Sequence, residues 1–181
     1  MSEVIYEPLV AEGYEWVNAV QDGDYEVFLP FDGQPLASTW KPIAVRRVRA
    51  DERQDFNPSD FPWLGSHALI MRRYAVDALR DILDANGEVL PLSTDDGVEL
   101  SVLNARILDA LDEANPSLMK FPGTNRIMRI KKIAFVASKV EGIDLFRLPH
   151  RASSTYVSER FVERVKAAGL RGLAFNKVWS G

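Results

Sequence analysis

The side chains that could do chemistry in this sequence are two histidines, 26 carboxylates and 22 basic groups, with no cysteine. His67 lies in an apolar stretch and His150 follows Pro149 in a basic loop. Neither has a second histidine or a cysteine at metal-ligand spacing, and the missing thiols exclude disulfides, thiolate metal sites and cysteine nucleophiles. Asp22-Gly23-Asp24 and Asp95-Asp96-Gly97 pair carboxylates beside a glycine. A calcium loop needs more oxygen ligands at fixed spacing and a closing glutamate, whereas Asp-Gly is a common turn former, so both are read as turns. Asp109 and Asp112, three apart, are placed on a solvated helix edge. The sequence has no phosphate-binding glycine loop, no GxSxG elbow and no HExxH. The expectation is a protein with no catalytic residues, no metal ligands and no cofactor: not an enzyme.

Charge is the stronger signal. The net charge of −4 divides into −7 for residues 1–65, −6 for 66–115 and +9 for 116–181. Such blocks make a dipolar molecule if they occupy different faces, or cancel if they fold against each other. In the basic third, Arg126, Arg129, Lys131 and Lys132, near Phe121, have the chemistry to contact phosphates. The chain as a whole is acidic and shows no nucleic-acid motif, so nucleic acid is not the expected partner. In the acidic part, Asp22, Asp24, Glu26, Asp32, Asp51, Glu52, Asp55, Asp60, Asp95, Asp96 and Glu99 lie in or beside predicted loops, where binding residues concentrate. They are candidate partner-binding residues that would steer a basic partner, with Trp16, Trp40 or Trp63 as anchors. The competing reading is an acidic surface that confers solubility alone.

The elements that must position these groups read as α+β, with a mixed or antiparallel sheet and two main helices. Residues 25–29 and 42–49 are predicted strands, 51–60 a polar loop, and 61–65 an apolar knot pinning that loop. A helix is predicted over about 72–85, with Ala75, Leu79 and Ile82 as its buried stripe and Asn86-Gly87 ending it in a left-handed turn. Strands follow at 88–92 and 98–103, then a short helical turn at 107–111, then strands at 126–136 and 143–148. The helix at 158–168 has the most complete local signals: Ser158 as N-cap, Val157 and Val162 at staple positions, a stripe of Phe161, Val165 and Ala168, and Gly169 with Leu170 as a Schellman close. A final strand spans 170–179. Tyr156–Val165 also aligns without gaps on Ile70–Leu79; the preferred reading is chance similarity of two amphipathic segments, and the alternative is two related strand–helix–strand units sharing a sheet.

The 181 residues suit one domain, 1–181, with a variable β-rich N-terminal part (1–60) and an α+β part (61–181). The acidic N-terminus carries no basic or apolar leader region, and the longest uncharged run, Phe61–Met71, is too short to span a bilayer. A cytoplasmic protein with no membrane partner is expected.

Three stretches carry a family resemblance. They are Ala78-Leu79-Arg80-Asp81-Ile82-Leu83 with Gly87-Glu88-Val89-Leu90-Pro91-Leu92; Val102-Leu103-Asn104 leading to Leu108-Asp109-Ala110-Leu111-Asp112; and Leu145-Phe146-Arg147-Leu148 leading to Tyr156-Val157-Ser158-Glu159-Arg160-Phe161, continued through Ala168-Gly169-Leu170-Arg171-Gly172-Leu173 to Val178-Trp179. On these the chain resembles immunity family 11 of the bacterial polymorphic toxin systems, formerly a domain of unknown function. The resemblance implies an immunity protein that binds and neutralises a cognate toxin, often a nuclease and so often basic. It brings no binding residue with it: Pro91, Gly169, Gly172, Phe161 and Trp179 suit turns, caps and core. Two alternatives stay open: a general interaction module without a toxin partner, and an uncharacterised hydrolase using Asp or His.

Overall fold

The computed structural model describes residues 2–115 and 117–181, the side chains of Leu118, Arg129 and Ile130 excepted. In chain order the strands are β1 (Val4–Val10), β2 (Trp16–Ala19), β3 (Ala44–Val48), β4 (Ile70–Arg72), β5 (Gly87–Pro91), β6 (Ser93–Thr94), β7 (Leu100–Ala105), β8 (Leu118–Lys120), β9 (Ile127–Ile130), β10 (Leu145–Arg147), β11 (Thr155–Ser158) and β12 (Leu173–Ser180). The helices are α1 (Arg73–Ala78), α2 (Arg80–Asn86), α3 (Ala137–Val140) and α4 (Glu159–Ala167), and Asp24–Phe28 forms a 3-10 turn. The fold class is α+β, as expected. The strands form four small sheets, ordered β10-β11-β1-β12, β2-β3-β6, β4-β7-β5 and β8-β9.

Two of these sheets repeat one topology. β7 runs antiparallel to both β4 and β5, so β4 and β5 are parallel and are joined by α1 and α2. β1 likewise runs antiparallel to both β11 and β12, which are parallel and joined by α4. Each is a split βαβ unit in which a strand from elsewhere in the chain fills the gap. The segments 70–79 and 156–165 occupy equivalent places in the two units, but each unit has its own sheet, so the shared sheet of the repeat alternative does not form. Their helices meet in one apolar core: Ala75, Val76, Leu79, Ile82 and Leu83 share a cluster with Phe161, Val162, Val165 and Phe61.

The predicted N-terminal helix is broken at Leu79 (φ −112°, ψ 9°), with its stripe buried as expected. Gly87 does not end it in a left-handed turn. Its backbone is extended, and glycine is needed because a Cβ there would lie 2.3 Å from the Asn104 carbonyl oxygen across β5–β7. α4 forms as read. Ser158 Oγ accepts from the Phe161 N–H at 3.2 Å, Gly169 takes φ 66°, and the Leu170 N–H donates to the Val165 carbonyl at 3.0 Å.

Three local readings fail. Residues 25–29 are not a strand: Asp24–Phe28 forms a 3-10 turn, with the adjacent Phe28 and Leu29 both buried, Phe28 against Phe31 and Trp40, while Tyr25 and Val27 face out. Residues 107–111 are irregular and not helical, with isolated bridges at Ile107 and Leu111. The Leu108 N–H donates to the Arg147 carbonyl (2.8 Å) and the Asp112 N–H to the Ala134 carbonyl (2.9 Å), so distant parts of the chain supply the bonds a helix would have made internally. Asp109 and Asp112 therefore share no helix edge. Residues 126–136 are not one strand: β9 ends at Ile130, Ile127 and Ile133 pack on the core part-buried, and Phe135, which bridges Leu111, is buried within it.

Candidate partner-binding surface

The eleven candidate acids are sorted by what already holds them. Asp60 is structural: its carboxylate accepts the Arg171 N–H at 2.7 Å, and its backbone bonds Arg171 and Arg72. Asp95 pairs with Arg46 (3.0 Å), Asp96 with Arg47 (2.6 Å) and Glu99 with Arg73 (3.5 Å). Asp96 also accepts the Val98 N–H, and Asp51 accepts the Arg53 and Gln54 N–H groups, the turn chemistry expected of aspartate. Asp32 closes a turn onto the Gln34 N–H. Glu26 pairs with Arg151 at 3.0 Å, with both side chains largely exposed. Asp22, Asp24, Glu52 and Asp55 have no side-chain bond or ion pair among the described residues.

These acids do not form one patch. β2 and β3 are antiparallel, with Ala19 opposite Val45 and Trp16 opposite Val48. Asp22–Glu26 therefore leave one end of that ladder and Asp51–Asp55 the other, about 10 Å apart at 3.3 Å per residue. The loop at 20–27 is the more distinctive, because Asp22 and Glu26 are interleaved with exposed Val20 (46%), Tyr25 (46%) and Val27 (38%). The three tryptophans are each part-buried in the fold: Trp16 packs on Phe56 and its backbone bridges Trp63, and Trp40 is tied by its Nε1–H to the Pro91 carbonyl and packs on Phe28 and Phe31.

Buried polar groups hold the segment that follows this loop, residues 28–37. Arg147, 1% exposed, donates to the carbonyls of Phe28, Leu29, Phe31, Arg151 and Ser153 at 3.1–3.4 Å. No carboxylate pairs with it among the described residues, and burial pulls its pKa below the ordinary arginine value. Asn104, fully buried, accepts the Asp32 and Gly33 N–H groups and donates to the Gln34 carbonyl at 2.7 Å. Glu88 accepts the N–H groups of Leu36 and Ala37. Three distant strands thus fix residues 28–37. A second buried centre, Glu15, binds Arg47, Arg72 and the Ser59 N–H. The sequence reading singled out neither Glu15 nor Arg147 as a site residue. The signal for Arg147 was present: a cation in Leu145-Phe146-Arg147-Leu148, whose neighbours on both faces are apolar, must find partners inside.

His67 is 6% exposed, its Nε2 has no hydrogen-bond partner, and its ring meets Tyr25 edge-on at 5.0 Å. Burial, and then the Arg147 charge, hold both His67 and His150 below the usual histidine range. Among the described residues no group of three or more His, Asp or Glu could hold a metal ion. A cleft beside α1 contains Arg73, Arg80 and Glu99, but Asp77 and Glu99 already engage its two cations.

The charge blocks cancel in part. Asp81 of α2 takes both Arg160 (3.0 Å) and Arg164 (2.7 Å) of α4, and Arg164's hydrogen bonds lead in holding that carboxyl below its ordinary range. Arg160 also reaches Asp144, whose carboxylate accepts the Ser158 hydroxyl. Cations left exposed without an ion pair among the described residues include Arg126, Lys131, Lys132 and Lys177; the Arg129 side chain lies outside the described residues.

Asn104, Arg147 and the α4 caps lie in one continuous C-terminal region. Residues 102–180 match the immunity protein family Imm11. The resemblance to immunity family 11 is borne out over this span, which takes in its second and third stretches; Ala78–Leu92 lies outside it. The Imm11-matching region takes in α4, β10, β11, β12 and the last four residues of β7, so it includes the Arg147 and Asn104 anchors of the 28–37 segment. Phe161 is fully buried, Trp179 packs on Phe135, and Gly172 sits so close to Ser59 that a Cβ would overlap it, all in keeping with fold-keeping roles. No curated protein matches the chain. No helix of the described residues is long and apolar enough to cross a membrane.

Proposed function

We propose that this chain is an immunity protein of a bacterial toxin system. It acts in the cytoplasm as one folded domain and neutralises a cognate toxin by stoichiometric binding, without catalysis. The observation that carries this reading is the Imm11 match over residues 102–180. The surface we assign to the toxin is the 20–27 loop, where Asp22, Asp24 and Glu26 alternate with exposed Val20, Tyr25 and Val27. Acids there steer a basic partner, and the apolar side chains between them supply area that water leaves on contact. A standard interface covers about 800 Å² per partner, roughly 30 Å across, wide enough to reach Glu52 and Asp55 as well. A nuclease suits this chemistry, because its nucleic-acid groove is basic and an acidic loop can occupy it.

The test is co-expression of the tagged chain with the product of the adjacent upstream gene. A co-purifying complex that restores growth supports immunity. Absence of both complex and rescue rejects it for that pair.

A further inference from the structure

β12 is the outer strand of its sheet, bonded to β1 on one side. Glu3 and Gly181 exchange both backbone bonds, and the Ala11 N–H donates to the Gly172 carbonyl at 3.1 Å. Bonded pairs in an antiparallel ladder recur at every second residue. Counting from Gly172, Ala174 and Asn176 face β1, and the N–H and C=O groups of Leu173, Phe175 and Lys177 point outward. Pro8 fits this register, since it stands opposite Phe175 at a pair that exchanges no bonds. Among the described residues, no backbone group of Leu173–Ser180 is bonded to anything except β1. Natural proteins usually cover or blunt such an edge.

The surroundings of this edge are basic and apolar. A groove of about 640 Å³ runs between Lys177–Ser180 and the base of the β8–β9 hairpin at Asn115, Ser117 and Lys132–Ala134. The hairpin exposes Met119 (43%), Phe121 (44%) and Met128 (47%), with the Arg126 guanidinium 5.5 Å from the Phe121 ring centre. From residue 114 to residue 140 the chain has six Lys and Arg and no carboxylate.

We infer that the outer edge of β12, with the β8–β9 hairpin beside it, accepts an extended acidic segment of a partner protein as an added strand. The backbone groups supply the affinity that strand addition provides, and Lys132 and Lys177 select acidic side chains. A second copy of this chain fits poorly, because the edge it would offer, Leu173–Ser180, carries Lys177 and no carboxylate to answer the cations. A nucleic acid would use the cations and Phe121 but leave the alternating N–H and C=O groups unmatched. This surface is separate from the acidic 20–27 loop, and the inference does not depend on the immunity reading.

The experiment uses the full chain and three probes: a synthetic strand peptide of about eight residues alternating Glu and Val, its Lys counterpart, and a single-stranded oligonucleotide of about the same length. Binding is followed by titration and by hydrogen exchange of β12. The acidic peptide should slow exchange at Leu173, Phe175 and Lys177. Its affinity should fall about tenfold in the Lys132→Glu/Lys177→Glu variant. Lys177→Pro, which removes one outward N–H at a position where an edge strand tolerates proline, should weaken it without unfolding the protein. Equal binding of the Lys peptide, binding without protection of β12, or binding of the oligonucleotide alone would each overturn the inference.

Discussion

Replacing Arg147 by methionine should unfasten the segment that follows the loop carrying the proposed toxin-binding acids. The guanidinium is the shared donor for five main-chain carbonyls, three of them in Phe28–Phe31. Each buried carbonyl left without a donor costs about 1–3 kcal/mol. Water entering the vacated space and relaxation of the 3-10 turn recover much of that. The net loss should therefore be about 3–5 kcal/mol, comparable with breaking a buried ionic contact. Methionine keeps the apolar stem, so packing of β10 is not the variable. Arg147→Lys should be intermediate, because an ammonium has three donors and cannot span both ends of the carbonyl ring. Urea denaturation followed by circular dichroism gives the magnitude, and hydrogen exchange gives the location. Residues 24–31 should lose protection well before the β1–β12 ladder does. A methionine variant within about 1 kcal/mol of the parent, or one that loses protection uniformly, would refute the latch.

Further outcomes follow from the same contacts. His67 and His150 are both held below the ordinary histidine pKa, so the unfolded chain binds more protons than the folded one as pH falls through the usual histidine range. Their contribution to stability is complete above that range and is lost on acidification, by up to about 1.4 kcal/mol per pH unit for each histidine. Thermal midpoints measured from pH 7 to pH 5 should fall, and His67→Phe should flatten the slope; an unchanged slope would exclude His67 as a contributor. Reversing Asp22, Asp24 and Glu26 to Lys should slow association with a basic toxin and flatten its salt dependence, read by stopped flow, with stability changed by less than about 1 kcal/mol. Glu15→Gln, by contrast, should destabilise by about 3–5 kcal/mol in urea, because Arg47 and Arg72 lose a buried counter-charge. Deleting residues 1–60 should leave the remainder unfolded by circular dichroism, since β1 is the strand between β11 and β12.

What was legible in the sequence was whatever the chain decides locally. The ends and stripe of α4 involve residues a few positions apart, and Ser158, Phe161 and Gly169 behave as their types dictate. The α1–α2 stripe was equally readable, although the break at Leu79 was not. Residues 107–111 were misread because an apolar run beside aspartates fits a helical turn, while the bonds that hold it come from Arg147 and Ala134, far away in sequence. The 3-10 turn at 24–28 was misread because loose alternation hid two adjacent buried side chains, Phe28 and Leu29. For the candidate surface, residue type located the acids but not their partners. Asp60, Asp96 and Glu26 look alike in sequence, yet one caps a backbone, one closes a buried ion-pair network and one lies on an exposed loop.

The central claim, neutralisation by one-to-one binding, is tested most directly by titrating the purified chain into its cognate toxin while following the toxin's activity. Inhibition should rise linearly and become complete at one equivalent, without dependence on incubation time once the complex has formed. Complete inactivation by a small fraction of an equivalent, growing with time, would mean that the chain turns over and would contradict the account.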